Sequence, residues 1–218
     1  AVLSDLRLLR DAAKGRDGEL TPLGAEQHRQ IAERMVRNFP EIFKGKTHVD
    51  AKSTVVIRCI LSMENALQQL VRMNPNLEIT HDASYHDMYY MNHNDTSLFK
   101  QRMPKAAREA FDNFSKRHIH PERLMNDLFN DSTYWQKEIN FKQLYSTLFK
   151  QASNVQSTEL RHELSLFNLF TDKELYDLWT TNNAWWYINY GPSPLNGGQQ
   201  PTSQRFLLRK IVSEADSC

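Results

Sequence analysis

Two short runs suited to β-strands, residues 47–54 and 77–81, flank a single helical pattern. This strand–helix–strand order most restricts the fold, because it calls for a piece of α/β layer. The helix between them carries Ile57, Ile60, Leu61, Leu67, Leu70 and Val71 at close to the 3.6-residue period. A second stripe holds Arg58, Ser62, Asn65 and Gln69, spaced by four, three and four. Arg58 therefore sits on the polar side of an amphipathic helix, within its first turn, although it interrupts the apolar runs VVI and CIL. The β-branched residues Val55, Val56 and Ile57 are equally suited to extending the strand, and both readings put Arg58 at a strand-to-helix junction. A helix N-terminus favours an anion, and a guanidinium beside it offers a planar fork matched to two phosphate oxygens. The competing explanation is an arginine that snorkels from the helix or pairs a local carboxylate such as Glu64.

The flanking chain is mostly helical in pattern. Leu3, Leu6, Leu9 and Ala13 predict a helix over 3–14, stopped by Gly15. Thr21 followed by Pro22 predicts an N-cap with proline at the first helical position, and that helix ends near Asn38, before Pro40. From 96 to 180 the pattern is almost wholly helical, with breaks at Pro104, at Pro121, over 130–133 and at Thr171. Thr171 and Glu174 have capping-box spacing for a helix over 172–180. An aromatic segment and a Gly/Pro loop follow, and the last helix covers 203–215. The organisation read from this is an α/β part over 1–95, a helical insertion over 96–180, and a returning segment over 181–218.

With 218 residues there is room for one large or two small domains. The 27 Lys and Arg balance 26 Asp and Glu, so only a local patch could favour a polyanion. The two cysteines, Cys59 and Cys218, make no disulfide framework. No run approaches the ~18 apolar residues a membrane helix needs. Residues 100–123 hold seven Lys or Arg (Lys100, Arg102 and Lys105 among them) against three Asp or Glu. That segment suits either a basic rim for a polyanionic ligand or a solvated helix face. Its aromatics are not interleaved for base stacking, which argues against nucleic acid. The loop bearing His81, Asp82, His86, Asp87, His93 and Asp95 matches no zinc or calcium spacing and reads as structural. Trp185, Trp186, Tyr187 and Tyr190 suit either packing between helices or the wall of a cleft.

Three stretches together resemble the histidine acid phosphatases, and most closely their inositol-polyphosphate phosphatase branch. They are GELTPLGAEQHRQIAERMVRNFPEIF at 18–43, STVVIRCILSMENALQQL at 53–70 and LFTDKELYDLWTTNNAWWYINYGPSP at 169–194. In the second, Arg58 falls on the arginine that enters that family's phosphate pocket and Ser62 on the following serine, while Gln69 replaces the usual glycine. The resemblance implies a histidine-phosphatase α/β core with a helical cap, hydrolysis of a phosphomonoester through a phosphohistidine, and a phytate-like substrate. Lys100, Arg102 and Lys105 would then supply a basic rim. It also implies no metal or other cofactor, and an exported protein. The nucleophile motif R-H-G-x-R-x-P is not in the sequence: the Arg–His pairs at 117–118 and 161–162 lack its glycine, second arginine and proline. The family's late acid motif is absent too. His81–Asp82 contains the right dipeptide, but too early in the chain for that role. The expectation is a chain lying between the two catalytic motifs, inactive by itself. Two rival readings are a non-catalytic module that binds phosphorylated ligands and a helical interaction protein. The second predicts no strand before Arg58.

Overall fold

A computed structural model describes residues 2–91 and 95–217. Its described residues divide into two units, one drawn from 1–93, 157–161 and 210–218, the other from 94–156 and 162–209. In the first unit α1 (Val2–Ala13) is ended by left-handed backbone at Lys14 and Gly15. Helix α2 (Pro22–Asn38) starts as its sequence predicts: Thr21 Oγ1 accepts from the Gly24 amide at 2.9 Å, and Pro22 occupies the first turn. The Thr21 hydroxyl also donates to the Ser157 carbonyl at 2.9 Å, tying residue 157 to the head of this helix.

Strand β1 (His48–Lys52), helix α3 (Ile57–Met73) and strand β2 (Glu78–Asp82) form a βαβ unit. The strands pair in parallel, with Val49 opposite Ile79 and Lys52 opposite Asp82. Parallel pairing requires a long crossover, and α3 is that crossover. Leu67 and Leu70 of α3 meet Ala32 of α2 and Leu77 in a small core, flanked by Val36, Val49, Ala51, Met63 and Ile79. Asn74 closes the far end of α3, donating to the carbonyls of Phe43 and Gly45 at 2.8 and 2.9 Å. A 3₁₀ turn (Tyr85–Asp87) and the short α4 (Met88–Met91) follow β2.

The second unit is helical: α5 (Thr96–Gln101), α6 (Lys105–His118), α7 (Glu122–Leu128), α8 (Ser132–Glu138), α9 (Phe141–Val155) and α10 (Asp172–Tyr190). Asp95, Asp131 and Asn140 cap α5, α8 and α9 with side-chain oxygens. Thr171 and Glu174 complete the capping box expected at α10. Leu124, Met125, Tyr145, Leu148 and Leu166 are fully buried here. The chain ends in α11 (Arg205–Ala215), after a 3₁₀ turn over Gln200–Gln204.

The fold is thus mostly helical with a small parallel α/β piece. Strand β1 lies inside the expected 47–54 run, β2 is shifted by one residue from 77–81, and α10 reaches Tyr190, ten residues beyond its predicted end. The weak helix formers Asn182 and Asn183 suggest a stop there. Packing decides otherwise, because Leu178, Thr181, Ile188 and Asn189 bury one continuous side of the longer helix. No described helix is long and apolar enough to cross a membrane.

Candidate functional site

The end of β1, the loop 53–56 and the first turn of α3 define the candidate site. In parallel α/β layers ligands collect beyond the carboxyl ends of the strands, where helix N-termini converge. The helix begins without help from its N-cap: Val56 has no side-chain oxygen to accept from the first turn. The Cys59 and Ile60 amides turn back to the Val56 carbonyl at 2.9 and 3.1 Å. Those of Ile57 and Arg58 have no acceptor among the described residues. Two free N–H groups at a helix start carry the positive end of its dipole.

Arg58 is the second residue of α3 and is exposed. Its Nη1 donates to the Gly18 carbonyl at 3.4 Å, a long and weak bond. No carboxylate among the described residues lies within ion-pair distance of it. Glu64, the pairing partner considered from sequence, binds His81 instead, with Oε1 2.6 Å from His81 Nδ1. Arg58 therefore keeps most of its fork unused. The Gly18 contact also brings together two stretches that are separate in sequence, the turn before α2 and the head of α3.

Around this arginine the loop is polar and partly closed. Ser53 is buried, and its amide donates to the Asp82 carbonyl at 3.0 Å, joining the ends of both strands. Thr54 Oγ1 is buried without a hydrogen-bond partner among the described residues. An orphaned hydroxyl of this kind costs about 1–3 kcal/mol, which a ligand oxygen at the loop would recover. Lys52 pairs with Asp50 at 3.1 Å, and that hydrogen bond holds its ammonium above its ordinary pKa. Ser62 lies one turn beyond Arg58, but its hydroxyl donates to the Arg58 carbonyl at 2.8 Å. It thus has lone pairs, and no proton, to offer an anion.

The candidates for a basic rim belong to the second unit, and two of the three have other occupations. Arg102 is held between two rings, 4.7 Å from the Phe99 centroid and 4.3 Å from that of Tyr190. Lys105 is 90% exposed and faces Glu109 at 3.8 Å. Lys100 is exposed on α5. Of the His/Asp loop, His93 lies outside the described residues, Asp87 is buried and Asp95 caps α5. No three potential ligands gather as a metal site among the described residues.

A cleft of about 750 Å³ also lies in the second unit, and Arg58 is not part of its wall. Trp185 and Trp186 line it, and Tyr187 and Tyr190 of the same aromatic segment do not. Sequence reading missed its lysines, Lys142 and Lys150. The signal was present, since Lys142, Ser146, Phe149, Lys150 and Ser153 recur at the spacing of one helix face.

No protein-family model matches this chain, and no curated protein matches its sequence.

Proposed function

We propose that this chain carries the phosphate-positioning part of a phosphomonoesterase of the histidine acid phosphatase type, acting on an inositol-polyphosphate-like substrate. The supporting observation is Arg58: a guanidinium with no carboxylate in ion-pair distance among the described residues, at an uncapped helix start, one short loop after a parallel strand. The unpaired Ile57 and Arg58 amides and the orphaned Thr54 hydroxyl add donors on the same loop. The strand before Arg58 removes the main support for the purely helical interaction reading.

In the reaction proposed, a histidine nitrogen bonds to phosphorus as the ester P–O bond breaks. An acid delivers a proton to the departing alkoxide. Water then attacks phosphorus, releasing phosphate and restoring the histidine. Arg58 and the α3 amides would hold nonbridging oxygens, whose charge must be stabilised throughout the transfer. The sequence contains no R-H-G-x-R-x-P, so this chain binds phosphate and does not turn it over.

Calorimetric titration with myo-inositol hexakisphosphate, and separately with inorganic phosphate, tests this. Arg58→Ala should weaken binding about tenfold or more, as expected for a lost charge-assisted fork. Arg58→Lys should recover only part of it, because a point charge lacks the fork. Unchanged affinity in Arg58→Ala would overturn the assignment, and hydrolysis of 4-nitrophenyl phosphate by the chain alone would overturn its second half.

A further inference from the structure

The cleft of the helical unit shares unpaired cations with the Arg58 site but differs from it in its apolar, aromatic walls. It lies among α6, α9 and α10, and its volume of about 750 Å³ is within the usual range for small-molecule pockets. Phe111, Phe149, Leu178, Trp185 and Trp186 give it apolar walls. Trp185 and Trp186 meet edge to face at 5.1 Å, and Trp186 remains 50% exposed. Such indole surface, left uncovered in a concave site, offers a stacking face to a flat apolar body.

Three lysines, Lys116, Lys142 and Lys150, share the lining, which contains neither Asp nor Glu. None of the three has a carboxylate within ion-pair distance among the described residues. Elsewhere in the same unit Lys105 and Lys173 face Glu109 and Asp177 across one helical turn. Lys142 is moreover in the first turn of α9, whose first turn holds no acidic residue. A cation there opposes the helix dipole and weakens the helix slightly, while it raises the positive potential at the cleft. Uncompensated positive charge beside an apolar wall selects for an amphiphilic anion.

We infer that this cleft binds a small organic anion with an aromatic body, the ring lying on the tryptophan pair and the acidic group meeting the lysines. The class covers aryl carboxylates, sulfonates and phosphates. A bare inorganic anion would miss the walls, and an inositol phosphate has no aromatic face to bury against them.

The test uses naphthalene-2-sulfonate, which cannot be hydrolysed as a phosphate ester. It is compared with 2-naphthol (the same body without the charge), methanesulfonate (the charge without the body) and myo-inositol hexakisphosphate. Titrations use the full chain carrying Arg58→Ala, so that anions held at residue 58 do not contribute and failure here leaves the phosphate reading untouched. Calorimetry and tryptophan fluorescence should show naphthalene-2-sulfonate binding about tenfold or more tighter than either half-probe. The triple variant Lys116→Gln, Lys142→Gln, Lys150→Gln should remove that advantage and leave 2-naphthol binding unchanged. Trp186→Ala, at a half-exposed position, should weaken both aromatic probes together. Equal affinity for sulfonate and naphthol, no saturable binding of naphthalene-2-sulfonate, or lysine-dependent binding of inositol hexakisphosphate that surpasses it, would each overturn the inference.

Discussion

The two units solve the same problem, holding polar groups in fixed places, by opposite means. The α/β unit has a thin interior built from Ala32, Leu67, Leu70 and Leu77; β1 alternates between exposed and partly buried residues, and in β2 Ile79 alone is partly buried. Its polar groups of interest stand at the rim. Apart from one long bond to Gly18 the Arg58 side chain is uncommitted, as are the Ile57 and Arg58 amides, and Ile57 is 56% exposed. The helical unit instead takes many polar side chains inside and pairs most of their atoms, leaving Gln200 Oε1, Thr180 Oγ1 and Arg102 Nε without a partner among the described residues. Gln200 donates from the interior to the Leu98 carbonyl at 2.9 Å, Asn196 to Ile188, and Asn189 to Trp185 at 2.8 Å. Arg123 uses Nε and Nη2 on Glu174, at 2.9 and 2.6 Å, and adds the Leu169 carbonyl and Asp127. Arg123 is thus a strut in the helical unit, whereas Arg58 is an open donor in the other. A guanidinium whose donors are taken up specifies packing; one with unused donors is available to a ligand.

The sharpest way to break this comparison is to cut each core. Leu148→Ala removes a side chain that is only 2% exposed in the helical unit, and should cost about 3 kcal/mol in denaturant unfolding. Leu67→Ala, at 7% exposure in the thinner core, should cost about 2 kcal/mol, because neighbours there can relax toward the space. Hydrogen exchange should show each loss confined to amides of its own unit. Equal losses spread over both would mean that the division into a thin and a dense interior has no energetic content.

A smaller effect sharpens the contrast through pH. Burial pushes the Glu174 carboxyl up, but the Arg123 guanidinium and the Thr171 amide more than offset this and hold its pKa below the ordinary value. A carboxyl depressed in the folded state contributes stability that is fully present above its unfolded pKa of about 4.3. That stability is lost as pH falls through the lower folded value. Glu174→Gln removes the charge and weakens the cap, and should cost about 2 kcal/mol at neutral pH, since the pair is partly screened. Below the folded pKa the difference between wild type and variant should shrink. A difference that stays constant from neutral to acid pH would show that the Arg123–Glu174 charge pair contributes nothing beyond shape.

Local chemistry was legible in the sequence and distant chemistry was not. Thr21 before Pro22 and Thr171 with Glu174 are capping signals complete within a few residues, and both form. The strand–helix–strand order was readable from period alone, as was the place of Arg58 in the first turn of α3. The C-terminal end of α10 was not, because Ile188 and Asn189 extend that helix by burial against the rest of the unit. Arg102 shows the limit within one residue. Phe99, three positions earlier, was a predictable neighbour on a helix, but Tyr190 comes from 88 positions away. The basic character of 100–123 was correctly read, yet charge alone could not show that Arg102 was already engaged by two rings. Nor could it show that Lys116 would join Lys142 and Lys150 of another helix around a cleft.

The smallest expected effect bears hardest on the comparison. Arg58→Ala should change unfolding free energy by no more than about 0.5 kcal/mol, the range of surface substitutions away from structural features. The side chain is exposed, meets no carboxylate among the described residues, and makes one long bond to Gly18. Arg123→Ala supplies the contrast in the same assay, because it strands the Glu174 carboxylate and the Leu169 carbonyl. If Arg58→Ala proved as costly as Arg123→Ala, the Gly18 contact would be a structural clasp between the α2 turn and α3. The guanidinium would then be a strut like the others, and a loss of phosphate binding in that variant would report damage to the loop. A silent substitution in unfolding, joined to a large loss in phosphate titration, separates ligand recognition from scaffolding in one residue, since a structural role cannot vanish from stability and persist in binding.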